Sequence, residues 1–258
     1  MQIPPYERVI YKRNPLNSVT CQLTFPAILS IDAKVPNEFQ DSIRAQYPEY
    51  NELRGLSATL GPQPGQPNLP IRLGNATYQF IAGEPNELWV VSLNQSSISL
   101  STTHYVKWED FLEHLENPLK MLLRIYSPYC FSRIGLRYQN AIYRSKLGLA
   151  EAQWKDLLHP HIASIFNVTD DDADVEANYT QATVRLGTDR KVLMNFGLGH
   201  DPVAKESLYV IDNDFFSEKR IEVNDATTIL NSLHGESGRL FRWCVSDKLH
   251  DALEPGPA

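Results

Sequence analysis

Hydrophobic and polar positions alternate along much of this chain, and the alternation switches between two periods. From Ser18 to Phe25, the residues Val19, Cys21, Leu23 and Phe25 alternate with Ser18, Thr20, Gln22 and Thr24, which predicts a strand with one apolar and one hydroxyl-amide face. Pro26 ends it. A helix is predicted from Pro36, with Phe39, Ile43 and Tyr47 spaced four apart on one face. A Gly/Pro-rich stretch from Gly55 to Gly74 reads as a loop. Three strands are predicted near Thr77–Ala82, Leu88–Leu93 and Ile98–Thr102, separated by turn residues. Trp108, Phe111, Leu112 and Leu115 then mark an amphipathic helix, which Pro118 is expected to kink or restart.

The order repeats in the remainder. A strand is predicted from about Phe131 to Tyr143, then a helix carrying Trp154, Leu157, Leu158, Ile162 and Ile165 on one stripe. Strands follow at about Asn178–Leu186, Val192–Leu198 and Leu208–Phe215. A final helical region starts near Asp225, breaks around Gly235–Gly238 and resumes with Leu240, Phe241, Cys244 and Val245. The expected fold class is therefore α+β: tandem βαβββα units, residues 1–127 and 128–258, forming a curved antiparallel sheet with helices on one face. On element order alone this looks like the saddle of TATA-binding protein or a helix-grip fold.

With the apolar strand faces turned to the helices, the opposite face carries Ser18, Thr20, Gln22 and Thr24, then Ser99, Ser101 and Thr103. It continues with Arg133, Arg137, Gln139 and Tyr143, and with Gln181, Thr183 and Arg185. One face of an antiparallel sheet ordinarily meets water and is polar. This one is also rich in arginines and amides, groups that engage a partner or an anionic ligand. Arg133, Arg137, Gln139, Tyr143 and Arg185 are thus the candidate partner-binding residues.

Composition narrows the classes. The 258 residues are 42% hydrophobic and 21% charged, which suits a globular protein with a substantial core. No apolar run approaches a membrane span, and the N-terminus lacks a signal-peptide pattern, so a cytoplasmic location is expected. Cys21, Cys130 and Cys244 are distant from one another and odd in number, as expected of reduced thiols, with core packing for Cys21 and Cys130. The net charge of −7 disfavours nucleic acid as a partner, because neutralising phosphates needs a basic surface.

Catalytic chemistry has thin support. Asp212 and Asp214 lie two apart on one strand, with His200, Asp201 and Asp225 within reach in principle; paired carboxylates of this kind hold divalent metals for phosphoryl transfer. The acidic run Asp170–Glu176 lacks the ligand spacing and glycine of a calcium loop and reads as a solvated connection. His159 and His161 have no partner at metal spacing. No nucleophile-elbow, phosphate-loop, dinucleotide or zinc-protease motif occurs, and no cofactor is expected.

Several segments together resemble an uncharacterised bacterial protein family of about this length that is sporadically distributed among genomes. They are Asn14-Pro-Leu, Val19-Thr-Cys-Gln-Leu-Thr-Phe-Pro-Ala-Ile-Leu, Pro36 with Phe39-Gln and Tyr47-Pro, and Ser99-Leu-Ser-Thr-Thr-His-Tyr with Trp108 and Phe111. Arg133-Ile-Gly-Leu-Arg-Tyr-Gln-Asn-Ala-Ile, the most specific, and Tyr209-Val-Ile-Asp-Asn-Asp complete the likeness. The resemblance implies no activity, cofactor or catalytic residue. Sporadic distribution implies a horizontally moved gene, such as a defence, toxin–antitoxin or mobile-element accessory. The expected function is a non-enzymatic module binding a protein partner through the polar sheet face. The alternatives are a nucleic-acid or nucleotide-binding protein and a divalent-metal phosphohydrolase or nuclease.

Overall fold

Strand β1 (Val9–Tyr11) opens the chain, and β2 (Leu16–Thr24) follows it. The computed structural model describes residues 3–58 and 71–258. Two short helices come next, α1 (Leu29–Ala33) and α2 (Asn37–Ile43), then β3 (Glu49–Ala58), β4 (Ile71–Ala82), β5 (Trp89–Asn94), β6 (Ser97–Thr102) and the long helix α3 (Trp108–Tyr126). Strand β7 (Arg133–Ile142) leads into α4 (Trp154–Leu157) and α5 (Pro160–Ala163). The chain closes with β8 (Tyr179–Arg185), β9 (Lys191–Asp201), β10 (Glu206–Ser217), α6 (Ala226–Cys244), α7 (Asp247–Ala252) and β11 (Pro255–Pro257).

Nine strands form one antiparallel sheet in the order β3-β4-β5-β6-β2-β7-β10-β9-β8, and β1 pairs with β11 in a separate two-stranded ribbon. The fold is α+β. At the centre of the sheet β2 pairs with β7, from Leu16 opposite Asn140 to Thr24 opposite Arg133. Strand order runs outward from this pair on both sides, four strands beyond β2 and three beyond β7.

Within the nine-stranded sheet the additional strand is β3. Sequence periodicity passes over it because Glu49-Tyr-Asn-Glu-Leu-Arg does not alternate between apolar and polar positions, and at the sheet edge Tyr50 and Leu53 are exposed. The expected loop from Gly55 to Gly74 is in part strand, since β3 runs to Ala58 and β4 starts at Ile71. The Gly61–Pro70 segment lies outside the described residues.

Alternate residues of the central strands turn inward. Val19, Cys21 and Leu23, Ile134 and Leu136, and Tyr209, Ile211 and Phe215 join α3 and α6 side chains in one core cluster. All three cysteines are buried and free. Burial of each large apolar side chain contributes on the order of 2 kcal/mol.

Helix α3 is continuous through Pro118, against the expected break. Proline lacks the N–H that would bond the carbonyl four residues earlier, that of His114. Here the buried Tyr47 hydroxyl donates to the His114 carbonyl at 2.9 Å, so the orphaned acceptor is satisfied from outside the helix. Tyr47→Phe is therefore expected to cost about 1–2 kcal/mol, read as a lower denaturation midpoint, because the carbonyl is left buried and unpaired.

Helix α6 likewise runs unbroken through Gly235 and Gly238. Glycine weakens a helix without terminating it, and the packing of Leu230, Leu233, Leu240 and Phe241 outweighs the cost. The single stripe expected from Trp154 to Ile165 is instead two short helices. Leu158 bridges to Val245, the His159 N–H donates to the Cys244 carbonyl at 2.9 Å, and Pro160 begins a new turn. Ile165 is consequently 42% exposed. Among the described residues no helix is long and apolar enough to cross a membrane.

Candidate functional site

Because side chains alternate across a strand, pairing register decides which residues share the sheet face opposite the core. Ser18 lies opposite Gln139, Gln139 opposite Asp212, Asp212 opposite Asn195, and Asn195 opposite Gln181, so one polar row crosses five strands. Hydrogen bonds run along it. Ser18 Oγ donates to Gln139 Oε1 at 2.6 Å, Gln139 Nε2 to Asp212 Oδ2 at 3.3 Å, and Gln181 Nε2 to Asn195 Oδ1 at 2.7 Å.

The β7–β10 pairing places Asp212 and Asp214 among the arginines of this face. Arg137 grips Asp212 with two nitrogens, its Nε donating to Oδ1 at 2.7 Å. Arg133 lies along its strand, over the Phe216 ring at 4.8 Å, and donates to Asp214 Oδ2 at 2.7 Å. Gly135 makes this possible, since a Cβ there would collide with the Arg133 guanidinium. The bidentate contact to Asp212 is the geometry that makes arginine–carboxylate pairs strong.

Electrostatics separate the two pairs. Burial pushes the Asp214 carboxyl above its ordinary range and outweighs the attraction of Arg133. The Asp212 hydrogen bond raises the already high Arg137 value further. The Asp212 side chain is only 9% exposed, while that of Arg137 is 48% exposed.

Of the sequence candidates, Arg133, Arg137 and Gln139 therefore converge, joined by Asp212 and Asp214. Tyr143, just beyond β7, donates to Asp201 Oδ2 at 2.8 Å and carries Lys146 over its ring. Arg185 stands at the outer edge on β8, opposite Lys191. Asp212 and Asp214 are held as arginine partners. Among the described residues no group of three or more His, Cys, Asp or Glu side chains is placed to hold a metal ion. The acidic run Asp170–Glu176 is more than a solvated connection: Asp172 accepts from Arg144 at 2.7 Å and from the Trp154 N–H at 2.9 Å, tying that loop to the core.

Sequence reasoning missed a second region, on the helix side of the sheet. A cleft of about 470 Å³ lies between β7, β10, α6 and the N-terminal segment around β1. Its floor includes Tyr138, Asn140 and Asn213, amides and a phenol on positions that alternation marks as core. The Tyr138 hydroxyl lies 2.9 Å from His234 Nδ1, and the His234 ring stacks on Trp108 at 4.6 Å. Burial, with the positive charge of Arg8 adding to it, pushes the His234 value down to about 4, so the imidazole is neutral near pH 7. Polar residues at strand positions of apolar parity were the available signal, legible in Arg-Tyr-Gln-Asn and Ile-Asp-Asn-Asp.

Comparison with protein-family models, with curated proteins and with solved structures finds no match for this chain.

Proposed function

We propose that the chain is a non-enzymatic interaction module that binds a protein partner through the open face of its sheet. One observation carries the reading: the two arginines at the centre of that face are already paired internally, Arg137 with Asp212 and Arg133 with Asp214. A phosphate-binding surface presents unpaired positive charge, and the overall charge of −7 opposes it further. A charge-balanced face of hydroxyls, amides and bidentate ion pairs instead suits a protein surface, where pre-ordered polar groups set specificity at little entropic cost.

We read residues 1–127 and 128–258 as two variants of one βαβββα unit, the first with an added strand, sharing a saddle-like sheet. On the family resemblance, the role is accessory to a defence, toxin–antitoxin or mobile-element system, in the cytoplasm.

Affinity purification of the full chain from its host, followed by reconstitution with the purified co-isolated protein, tests the reading. Gln22 is exposed on central β2, between Ser99 and Gly135, and takes no part in the ion pairs. Gln22→Trp is expected to abolish binding of the partner while leaving the melting temperature unchanged. Absence of any stoichiometric protein, or nucleic-acid retention with a clear salt slope in a filter assay, would sink the proposal.

A further inference from the structure

The helix-side cleft has three properties that core packing does not explain. Asn213 is 2% exposed, lines the cleft, and its Oδ1 has no hydrogen-bond partner within the protein. A buried acceptor left unpaired is destabilising, and native proteins retain few of them. Asn140, 4% exposed and diagonal to Asn213 across the β7–β10 pair, adds a second amide to the same floor. On the facing helix, Gly235 and Gly238 line the cleft, and a Cβ on either would meet nothing within 4 Å. Glycine inside a helix is costly, and here neither close packing nor a positive φ requires it. What the two glycines do is leave space.

The remaining lining fixes the chemistry. Tyr6, Tyr11, Tyr105, Tyr138 and Phe241 present ring surface. Three of the cations around the cleft are paired with carboxylates: Arg8 binds Glu109 through both terminal nitrogens, Lys107 pairs with Asp110, and Arg242 with Asp247, while Arg239 donates to the Gly235 carbonyl. His234 sits there as a neutral ring. Aromatic walls above two floor amides complement a flat molecule with a hydrogen-bonding edge. Side-chain amides recognise heterocycle edges in this manner.

We propose that this cleft is a binding site for a small uncharged heteroaromatic compound of nucleobase or nucleoside type, whose polar edge hydrogen-bonds the Asn213 side-chain amide on the floor. The cleft volume suits such a molecule. The site lies on the opposite side of the sheet from the proposed partner surface, so neither assignment depends on the other, and Gln22→Trp should leave it intact.

The test uses the full chain with adenosine, guanosine, cytidine and uridine as probes, titrated separately by calorimetry alongside their 5′-monophosphates. The expected result is that at least one nucleoside binds one-to-one and its monophosphate binds no tighter. Asn213→Leu removes the orphaned acceptor with a side chain of the same branching. It should raise the melting temperature while weakening the nucleoside at least about tenfold, the order of one lost hydrogen bond. Gly238→Phe fills the cleft from an exposed helix position and should likewise abolish binding in a folded protein. No binding of any of the four nucleosides at about millimolar concentration, where a contact worth less than roughly 4 kcal/mol disappears, would overturn the proposal. So would affinity that both substitutions leave unchanged, or a cleft shown to hold ordered water only.

Discussion

Arg137→Ala is expected to destabilise the fold by about 2–3 kcal/mol in chemical denaturation at pH 7, although Arg137 is a half-exposed residue on an open face. The loss does not come from the arginine itself. It comes from Asp212, which is 6% exposed and would keep only the 3.3 Å contact from Gln139. An unpaired buried carboxylate retains its desolvation penalty after its attraction is gone, which costs roughly 3–5 kcal/mol in a fully buried pair; solvent access to Arg137 lowers the figure here. Replacing both members, as in Arg137→Met with Asp212→Leu, removes penalty and attraction together. The double variant should therefore lie within about 1 kcal/mol of the parent. Arg133→Ala should cost less than Arg137→Ala, because Asp214, with its value already raised by burial, takes up a proton more readily when its partner is lost. Equal losses in the Arg137 single variant and the double variant would show that the ion pair is not what holds this region.

Acid should weaken the fold through His234 before most carboxylates titrate. The ordinary histidine value of 6.5 applies to the unfolded chain, whereas the folded protein holds His234 down at about 4. Below pH 6.5 the unfolded state therefore binds a proton that the folded state refuses, and stability present above that pH is lost as pH falls through about 4. The full difference corresponds to about 3 kcal/mol, at 1.36 kcal/mol per pH unit and allowing for partial solvent access. Burial displaces His114, His161 and His250 in the same direction and adds to the slope. The raised carboxyls of Asp214 and Glu236 act oppositely, since the folded state holds their protons at higher pH than the unfolded chain does. The measurement is thus a comparison of denaturation midpoints at pH 7.5, 5.5 and 4.5 in the parent and in His234→Gln. The parent should lose more stability than the variant over that range, and parallel curves would refute the assignment. Arg8 contributes to the depression of His234, so Arg8→Ala should narrow the gap between parent and variant.

Much of the architecture was legible because most strands here have one wet and one dry face. Val19-Thr-Cys-Gln-Leu and Val192-Leu-Met-Asn-Phe announce themselves by alternation, and both are strands with their apolar positions in the core. The errors fall where tertiary contacts override local preference. Pro118 and the Gly235–Gly238 pair read as helix breaks. The first is rescued by a hydroxyl from Tyr47, 67 residues away in sequence, and the second by packing against β7 and β10. The opposite error, one helix drawn across Trp154–Ile165, arises because apolar spacing cannot register that Leu158 pairs with a strand-like residue at Val245. β3 went unseen because Glu49-Tyr-Asn-Glu-Leu-Arg carries no apolar alternation.

By itself, the sequence determined the α+β class, the inward and outward faces of most strands, and the hydroxyl-amide character of the open face. Each of these follows from side-chain alternation within one segment, a local property. Tertiary structure alone decided which residues meet. Arg137 and Asp212 are 75 residues apart, and Tyr138 and His234 are 96 apart. Whether Asp212 is a metal ligand or an arginine partner depends on the register of β7 against β10, and one residue of slip would turn every side chain to the other face. The orphaned Asn213 oxygen belongs to the same class of fact: a single sequence records the asparagine, and only the packed fold shows what it lacks.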